Sequence, residues 1–269
     1  MTAGMLLVED ENISRAWFRA FAALTAPGIA EISPLVVSVR GPGDAPPVDI
    51  PAIQTELDIA LAVAGKPSCH AVANTIFPLH IWRRARDRDD LFRRYKSVRQ
   101  RQRGRHGNPR VTYFERMIAF GPRGGERNQL EYIISTYRAG NHRRSALQAS
   151  LFDPHCDQTD QRQRGFPCLQ QVSFMPQEDG GFCITGFYAM QYIFNRAYGN
   201  YLGLCRLGDF VAHELGYRLT KIVCVAAVAQ LGSGISKAAA RALTKKLSAV
   251  LEIAQGAAQN NGASAGTRL

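Results

Sequence analysis

Hydrophobic positions along this chain follow helical spacing in some stretches and strand-like spacing in others. In residues 11–24 the apolar side chains recur every three or four positions after polar starters, which predicts an amphipathic helix. The same kind of spacing returns later, so further helices are expected. The predicted helices cover residues 11–24, 51–65, 128–140, 200–216 and 235–259.

Between these helices lie runs rich in β-branched and aromatic residues, which are typical of strands. The turn-forming stretch "EDGG" at 178–181 separates two of them and predicts a hairpin. Residues 111–120 are expected to form a further extended segment. The predicted strands cover residues 33–41, 145–152, 167–177, 181–194 and 220–231.

This mixture of elements predicts an α+β fold. No internal repeat or linker divides the chain, so a single domain is expected over residues 1–255. Its centre should be a large mixed or antiparallel sheet flanked by helices. The small, polar end of the chain, residues 256–269, is expected to be a flexible tail.

Composition narrows the functional class. No run of about 18 apolar residues is present, and the first residues lack the basic and apolar parts of a signal peptide, so neither a membrane span nor export is expected. The six cysteines show no CxxC pair and no zinc-like spacing. Reduced thiols in a cytoplasmic protein without a metal site are therefore predicted.

Positive charge is concentrated in one Arg-rich segment, residues 83–110. Residues 81–110 hold twelve Lys and Arg and three Asp, which accounts for +9 of the net charge of +11. Such a local charge predicts a local partner, either nucleic acid or a phosphate-rich or polyglutamyl ligand. Alternatively, the segment is a solvated and partly disordered basic loop. Its few aromatic residues give little support to a stacking platform for single strands.

Several stretches, taken in order, resemble the thymidylate synthase superfamily. "GFPCLQQVSF" matches the strand with a Pro-Cys pair, where Cys168 is the cysteine. "NHRRSALQASLFDP" carries an adjacent arginine pair, Arg143 and Arg144. A strand, an irregular link and a helix with Asn200 near its start follow the cysteine, and Tyr113 lies in a segment similar to the Tyr-containing one upstream. The resemblance covers most of residues 12–231.

The resemblance implies a fold, a partner and a reaction. It implies a homodimer in which sheet faces pack together, and transfer of a methyl or hydroxymethyl group from 5,10-methylenetetrahydrofolate to C5 of a pyrimidine nucleotide. Cys168 would add to C6, and Arg143 and Arg144 would hold the phosphate across the dimer interface. Asn200 would read the base, where an amide favours a uracil-type ring, and Tyr113 would be a pocket wall or proton relay.

The chain departs from the family at positions that contact the nucleotide. Ala189 stands where the family has a phosphate-binding arginine, and Met190 and Tyr192 replace a serine and an aspartate. Val228 and Gln230 replace a His/Tyr pair that contacts the sugar. A nucleotide other than dUMP is therefore expected.

Two more residues enter the predicted site because of these departures. Either the ligand carries less charge at the place of Ala189, or another arginine binds its anion there, for which Arg196 in the link before the helix and the arginines of residues 83–110 are candidates. Asn74 is the polar residue nearest to the place of the family's catalytic glutamate. An amide orients water but does not supply a proton, so His80, His142 and Glu115 stay open as proton donors.

Each of these residues also has an ordinary structural interpretation. Cys168 is equally the type of residue that fills a small space in a core. Asn200 would suit a helix N-cap, and Asn74 a helix end. Arg143 and Arg144 would suit a solvated surface. Adjacent residues of a strand point to opposite faces, so both arginines can reach one anion only through a bend in the strand or with a partner subunit.

Two functions follow from these observations. The first is a thymidylate synthase-like one-carbon transferase that uses Cys168 on a non-standard nucleotide. The second is a non-catalytic binding protein of the same fold that holds another anionic ligand, nucleic acid or a protein partner. The retained Pro-Cys pair favours the enzyme, and the replaced contacts favour the binding protein.

Overall fold

A computed structural model describes residues 1–43, 45–106, 111–122, 125–140, 143–158 and 166–265. It confirms an α+β fold with mixed sheets and flanking helices. Across the described residues, no helix combines the length and the apolar character that crossing a bilayer requires.

The larger sheet has six strands in the order β2-β4-β9-β7-β6-β5. It is mixed, because β2 and β4 are parallel, β4 and β9 antiparallel, β9 and β7 parallel, and β7, β6 and β5 antiparallel. The predicted hairpin is confirmed as the β6–β7 pair. The strands are β2 (Leu6–Asp10), β4 (Leu35–Arg40), β5 (Gln148–Ser150), β6 (Leu169–Pro176), β7 (Gly181–Tyr188) and β9 (Arg218–Ala226).

A smaller sheet of four short strands continues the ends of the larger one, in the order β1-β3-β10-β8. Its last two members, β10 and β8, pair in parallel and so bring the chain after β7 beside the chain after β9. The strands are β1 (Thr2–Ala3), β3 (Glu31–Ile32), β8 (Gln191–Tyr192) and β10 (Ala229–Gln230).

Ten helices surround the sheets in the described part of the chain. Helices were predicted correctly at α1, α2, α7 and α9, and α9 ends as expected at Gly216, which adopts the left-handed conformation (φ 79°). The helices are α1 (Ile13–Thr25), α2 (Pro51–Val63), α3 (Cys69–Ile76), α4 (Leu79–Trp82), α5 (Arg88–His106), α6 (Tyr113–Ile118), α7 (Gln129–Arg138), α8 (Pro154–Asp157), α9 (Tyr198–Leu215) and α10 (Lys237–Ala265).

Three local predictions differ from the structure. Residues 113–118 form α6 instead of an extended segment, because Thr112 caps the helix by accepting a hydrogen bond from the Glu115 amide. The Arg-rich segment forms α5 instead of a basic loop, and its residues 107–110 lie outside the described part. The last helix continues to Ala265, beyond the end predicted at residue 259.

Helices α3 and α9 pack very closely against each other. Gly199 and Gly203 lie on one face of α9. A Cβ added at Gly199 would come within 2.6 Å of Cys69 O, and one added at Gly203 within 2.8 Å of Ile76 Cβ. Only glycine therefore allows this approach of the two helices. The contact places Val72 of α3 against α9.

The two faces of the larger sheet are unequally covered. Helices including α1 and α9 pack on one face, and the side chains that point to it are buried. On the other face, the cross-strand row Leu7, Val36, Val225 and Phe187 is only partly buried, with Leu7 49% and Phe187 41% exposed. An apolar row is therefore partly exposed on this sheet face in the single chain.

Candidate functional site

A cavity of 530 Å³ opens between the start of β6, the segment joining β8 to α9, and α6. Cys168, Tyr113, Asn200 and Arg196 all line it, so the structure brings together these predicted site residues from distant parts of the sequence. Its volume is within the usual range for a small-molecule site. The other lining residues are Lys66, Val72, Thr75, Val111, Thr112, Arg116, Phe166, Pro167, Met190, Gln191, Tyr192, Asn195 and Ser233.

Cys168 immediately precedes β6 and is held by the neighbouring strand. Its carbonyl oxygen accepts a hydrogen bond from the amide of Ala189, just after β7, at 3.0 Å. The side chain is partly buried, and this burial raises the pKa of the thiol, whereas the positive charge of Arg196 lowers it. Burial is the larger of the two effects, so the pKa of the thiol is raised overall, and the guanidinium of Arg196 opposes part of that rise.

Tyr113 begins α6, and its phenol oxygen faces the backbone amides of Leu169 and Cys168. Burial, together with the nearby Cys168 thiol, raises the pKa of Tyr113 to about 12, although those amides and Arg196 act in the opposite direction. The phenol is therefore protonated near neutral pH and can donate a hydrogen bond into the cavity.

Arg196 and Asn200 are positioned by an irregular turn before α9. Residues Ile193–Ala197 form a π-helical turn, and the indole of Trp17 donates a hydrogen bond to Ile193 O at 2.8 Å, which fixes the start of that turn. Asn200 lies inside α9 and is buried, 4% exposed. The helix N-cap is Ala197, so the N-cap interpretation of Asn200 is wrong.

A buried polar cluster lies behind the cavity wall. Gln191, which lines the cavity, donates a hydrogen bond to Cys224 Sγ at 3.4 Å and accepts one from Tyr201 Oη at 3.4 Å. The hydroxyl of Tyr188 is fully buried nearby and has no hydrogen-bond partner among the described residues. The orientation of Gln191 is thus fixed by groups that do not reach the cavity.

Asn74 is placed away from the cavity in the described part of the chain. Its side chain accepts a hydrogen bond from Arg206 Nη1 at 3.3 Å, whereas its helix neighbours Val72 and Thr75 line the cavity. The helical turn separates neighbouring positions by about 100°, so Asn74 and Thr75 cannot point the same way. A catalytic role for Asn74 therefore has no geometric support in this arrangement.

Arg143 and Arg144 also lie outside this cavity. They are exposed, and Arg144 belongs to a 3₁₀ turn before β5, where it donates a hydrogen bond to Met175 Sδ at 3.3 Å. Within one chain they therefore do not contact the cavity that holds Cys168. Their predicted role across a dimer interface stays a prediction.

Candidates for proton transfer are not brought to the cavity either. His80 is exposed on α4, and Glu115 is buried and accepts a hydrogen bond from Arg99 at 2.8 Å. His142 lies outside the described residues. Among the described lining residues there is no Asp or Glu, and Tyr113 is a lining residue whose phenol lies close enough to Cys168 for the thiol to affect its pKa.

Several lining residues were not predicted from the sequence. Arg116 lines the cavity but is neutralised by Asp157, with two contacts of 2.6 Å and 2.7 Å. Asn195 is 6% exposed, and its Oδ1 has no hydrogen-bond partner among the described residues. Lys66 comes from the loop between α2 and α3. No periodic pattern in the sequence marks these residues.

Some of the arginines of α5 form ion pairs with carboxylates of the same domain. Arg88 forms ion pairs with Glu131 at 2.7 Å and Glu214 at 3.1 Å, and the buried carboxylate of Asp90 contacts Arg93 and Arg94. A further set of cations remains exposed along and before the helix. The exposed cations of this region are Arg83, Arg84, Arg86, Arg93, Arg94, Lys96 and Arg101.

No family model matches this chain, and no curated protein matches its sequence. The resemblance to the thymidylate synthase superfamily therefore remains a prediction from the motifs.

Proposed function

We propose that this protein is a thymidylate synthase-like transferase that adds a one-carbon unit to C5 of a pyrimidine nucleotide. The observation that carries the proposal is the position of Cys168 on the wall of a 530 Å³ cavity that Tyr113, Asn200 and Arg196 also line. They come from three separate stretches of the sequence, around residues 113, 168 and 196–200, and the motifs predict them as parts of one site.

The chemistry assigned to Cys168 is conjugate addition. Its thiolate forms a bond to C6 of the pyrimidine, and the electron pair of the C5–C6 double bond moves through C5 and C4 onto O4. The amide of Asn200 is suited to bond both O4 and N3–H of a uracil-type ring, which stabilises the enolate. C5, now nucleophilic, would form the bond to the one-carbon unit, whose bonds to the folate nitrogens would break as C5 loses its proton and the folate is released. The transferred carbon would then take a hydride to become methyl or water to become hydroxymethyl, and expulsion of the Cys168 thiolate would restore the C5–C6 double bond.

Tyr113 is the residue proposed to move the proton. Its phenol faces the backbone at Cys168 and Leu169, and its pKa of about 12 keeps it protonated until a base or an ordered water draws the proton away. As a donor it can deliver a proton to the ring or to the departing sulfur. The raised pKa makes the phenol a weak acid and leaves very little phenolate to act as a base near neutral pH, so slow turnover is expected.

The residues at the cavity edge fit a flat aromatic group such as the pterin of 5,10-methylenetetrahydrofolate. Phe166 and Val111 line the cavity and are 40% and 48% exposed, so they offer an apolar surface beside Cys168. When bound, this cofactor supplies a one-carbon unit at the oxidation level of formaldehyde, and also the hydride that a methyl product requires.

A second candidate function is that of a binding protein. It is favoured by one observation, the lack of Asp and Glu among the described residues of the cavity wall. Without a carboxylic acid to move protons, a bound heterocycle could be held but not converted. In this case Cys168 would contact the ligand without forming a covalent bond.

Trapping of a covalent adduct distinguishes the two functions. The protein is incubated with the monophosphates of 5-fluorouridine and 5-fluorodeoxyuridine, with and without 5,10-methylenetetrahydrofolate, and its mass is measured. The enzyme predicts an adduct on Cys168 that is lost in Cys168→Ser and kept in the matched variant Cys156→Ser, since Cys156 is exposed and outside the cavity. Binding of these nucleotides without any adduct would contradict the transferase and support the binding protein.

We also propose that two copies of the chain pack through the exposed face of the larger sheet. The partly exposed row of Leu7, Val36, Val225 and Phe187 would leave an apolar patch in water if the chain were alone. A second copy covers it with the same surface, as an isologous interface requires. Arg143 and Arg144 are then the candidates to reach the partner's cavity.

Nucleic acid stays a proposed partner of the exposed cations near α5. Residues including Arg83, Arg84 and Arg101 present guanidinium groups to solvent and can contact phosphates. Such binding should weaken steeply with salt, because each contact releases counterions. Fluorescence anisotropy with a duplex of random sequence, from 50 to 300 mM salt, tests it, and an affinity that is undetectable at the lowest salt would rule it out.

A further inference from the structure

Outside the cavity that holds Cys168, Arg206 of α9 binds two side chains of α3. Its guanidinium donates from Nη2 to His70 Nδ1 at 2.7 Å and from Nη1 to Asn74 Oδ1 at 3.3 Å. Arg83, at the end of α4, lies close enough for its positive charge to act on Arg206. We call these four residues the Arg206 cluster, and none of them is among the described residues that line the cavity.

The hydrogen bonds within the Arg206 cluster occupy its acceptors. A guanidinium only donates, so His70 accepts through an unprotonated Nδ1, and the hydrogen of the neutral imidazole is then on Nε2. Asn74 accepts through Oδ1, and its NH2 group donates to no acceptor among the described residues. Arg83 has only donors on its side chain. The cluster therefore offers a ligand mainly N–H donors, which suits an anion and not a cation.

The two guanidinium charges of the cluster are not balanced by carboxylates in the described part of the chain. No Asp or Glu there lies within ion-pair distance of Arg206 or Arg83, whereas Arg88 contacts Glu131 at 2.7 Å. Asp209 follows Arg206 by one turn of α9 and does not pair with it. An uncompensated pair of cations therefore remains at this place.

The surroundings of Arg206 favour an added negative charge. Its side chain is half-buried, and this burial lowers the pKa of the guanidinium, an effect to which the charge of Arg83 adds. Cys205 and Asp49 act in the opposite direction, and Asp49 does so from beyond ion-pair distance. A partly desolvated cation beside a like charge gains free energy when an anion binds next to it.

Helix packing holds the donors of the cluster in fixed positions. His70 and Asn74 are four residues apart on α3, so both lie on the face of that helix that turns toward Arg206. Gly203, one turn before Arg206, lets α9 approach α3 so closely that an added Cβ would lie 2.8 Å from Ile76 Cβ. The guanidinium therefore loses little further side-chain entropy when a ligand binds.

We infer that the Arg206 cluster is a binding site for a doubly charged phosphate group, separate from the cavity. Such a group, either inorganic phosphate or a phosphate monoester, carries about two negative charges and strong acceptor oxygens near pH 7. Guanidinium groups match these oxygens through paired N–H donors, and the imidazole and amide N–H groups supply further ones. A phosphodiester, with a single charge, matches the cluster less well. The inference goes beyond the proposed transferase and does not depend on it.

Proton NMR of the His70 ring tests the site on the full chain. Its signals are those that disappear in His70→Gln, and they should shift saturably when sodium phosphate or methyl phosphate is added at pH 7.5 and constant ionic strength. The tighter of these two dianions shows whether the free ion or a monoester is the better ligand. Dimethyl phosphate, a diester, should bind at least tenfold more weakly. The absence of a saturable shift with both dianions would overturn the site, and so would a diester that binds as tightly as they do.

Single substitutions assign the shift to these side chains. Arg206→Gln should weaken phosphate binding at least tenfold and Arg83→Gln about threefold, because Arg206 is the less hydrated of the two cations. Arg84→Gln, the exposed neighbour of Arg83, is the matched control and should bind like wild type. Circular dichroism shows whether each variant is folded. Equal affinity in wild type and in folded Arg206→Gln would overturn the site, and if that variant is unfolded, equal affinity in Arg83→Gln would do so.

A variant of the cavity separates this site from any phosphate bound there. Arg196 lines the cavity and is not part of the Arg206 cluster, so Arg196→Gln should leave the shift of His70 unchanged. A shift that is lost in Arg196→Gln and kept in Arg206→Gln would place the phosphate in the cavity and overturn the inference. Failure of Cys168 to form an adduct would contradict the transferase and leave this site standing, because the two readouts report on different residues.

Discussion

The guanidinium of Arg196 lies close enough to the thiol of Cys168 for its positive charge to lower the pKa of that thiol, against the burial that raises it. Among the described residues, Arg196 is the cation whose charge lowers the pKa of the Cys168 thiol. Nucleophilicity of the cysteine therefore depends on a residue from the turn before α9 and, within one chain, not on Arg143 or Arg144.

The first prediction is that Arg196→Gln slows alkylation of Cys168. Removing the positive charge raises the pKa of the thiol, so a smaller fraction is thiolate at pH 8. We expect a rate with iodoacetamide that is lower by a factor of about two to five, since the exposed charge of Arg196 is screened by salt. Arg101→Gln, an exposed arginine on α5, is the control and should react like wild type. Equal rates in Arg196→Gln and wild type would contradict the prediction.

The second prediction concerns stability at high pH. Burial raises the pKa of the Cys69, Cys205 and Cys224 thiols, the last to about 12, whereas an unfolded thiol titrates near about 8.5. Above that pH the unfolded chain loses protons that the folded protein keeps, so the free energy of unfolding falls as pH rises. The loss approaches about 1.4 kcal/mol per pH unit for each such thiol. Below about pH 8 these thiols are protonated in both the folded and the unfolded chain, so the stability that they contribute is fully present there.

Urea denaturation under reducing conditions at pH 7.5 and pH 10 measures this loss. The buried phenols of Tyr188 and Tyr201, whose pKa values are also raised by burial, steepen it further above about pH 10. Cys224→Ala removes one of the thiols, so its stability should depend less on pH than that of wild type. A midpoint that is the same at both pH values in wild type would show the expectation to be wrong.

The third prediction is that Phe187→Glu produces a monomer. Phe187 stands opposite Val225 on the exposed sheet face, and a charge there would be desolvated in a face-to-face dimer. Light scattering at micromolar concentration should report a dimer for wild type and half that mass for the variant. Val63→Glu, at an 88% exposed position on α2, should leave the mass unchanged. A monomeric wild type would refute the proposed interface.

The fourth prediction is that dUMP is a poor substrate. Val228 does not line the cavity, and Gln230 donates a hydrogen bond to Glu31 at 3.0 Å, so neither offers a hydrogen bond to a sugar hydroxyl in the described cavity. A site that recognises a hydroxyl discriminates strongly through that bond, and here the bond is missing. Assays should detect little or no thymidylate from dUMP and methylenetetrahydrofolate. Rescue of a thymidine auxotroph by the wild-type gene would contradict this prediction.

Local sequence chemistry accounts for most elements around the site. The strand after Cys168, its hairpin partner and the helix that ends at Gly216 were all predicted, because spacing and turn residues act over a few positions. α6 was missed although the sequence carries a signal for it. Thr112 and Glu115 form the start of a capping box, which outweighs the β-branched residues before Tyr113.

α5 shows the limit of such local reasoning. Its residues have no clear amphipathic pattern, because arginines occupy the inward face as well as the outward one. Arg88 and Arg99 are held inside by Glu131, Glu214 and Glu115, and these partners come from other helices. A buried arginine and a solvated one look the same in a sequence, so the helix could not be told from a basic loop.

The sequence alone determined the type of fold, the main strands, the helices α1, α2, α7 and α9, and a set of residues with the chemistry for a site, because these depend on neighbours along the chain. Only the tertiary structure decided which of those residues share a cavity. It placed Cys168, Tyr113, Asn200 and Arg196 together, left Asn74 beside Arg206, and added Lys66 and Ser233. The reason is physical: contacts between distant segments follow from how α9, α3 and the two sheets pack, and hydrophobic spacing does not specify which loops that packing brings into contact.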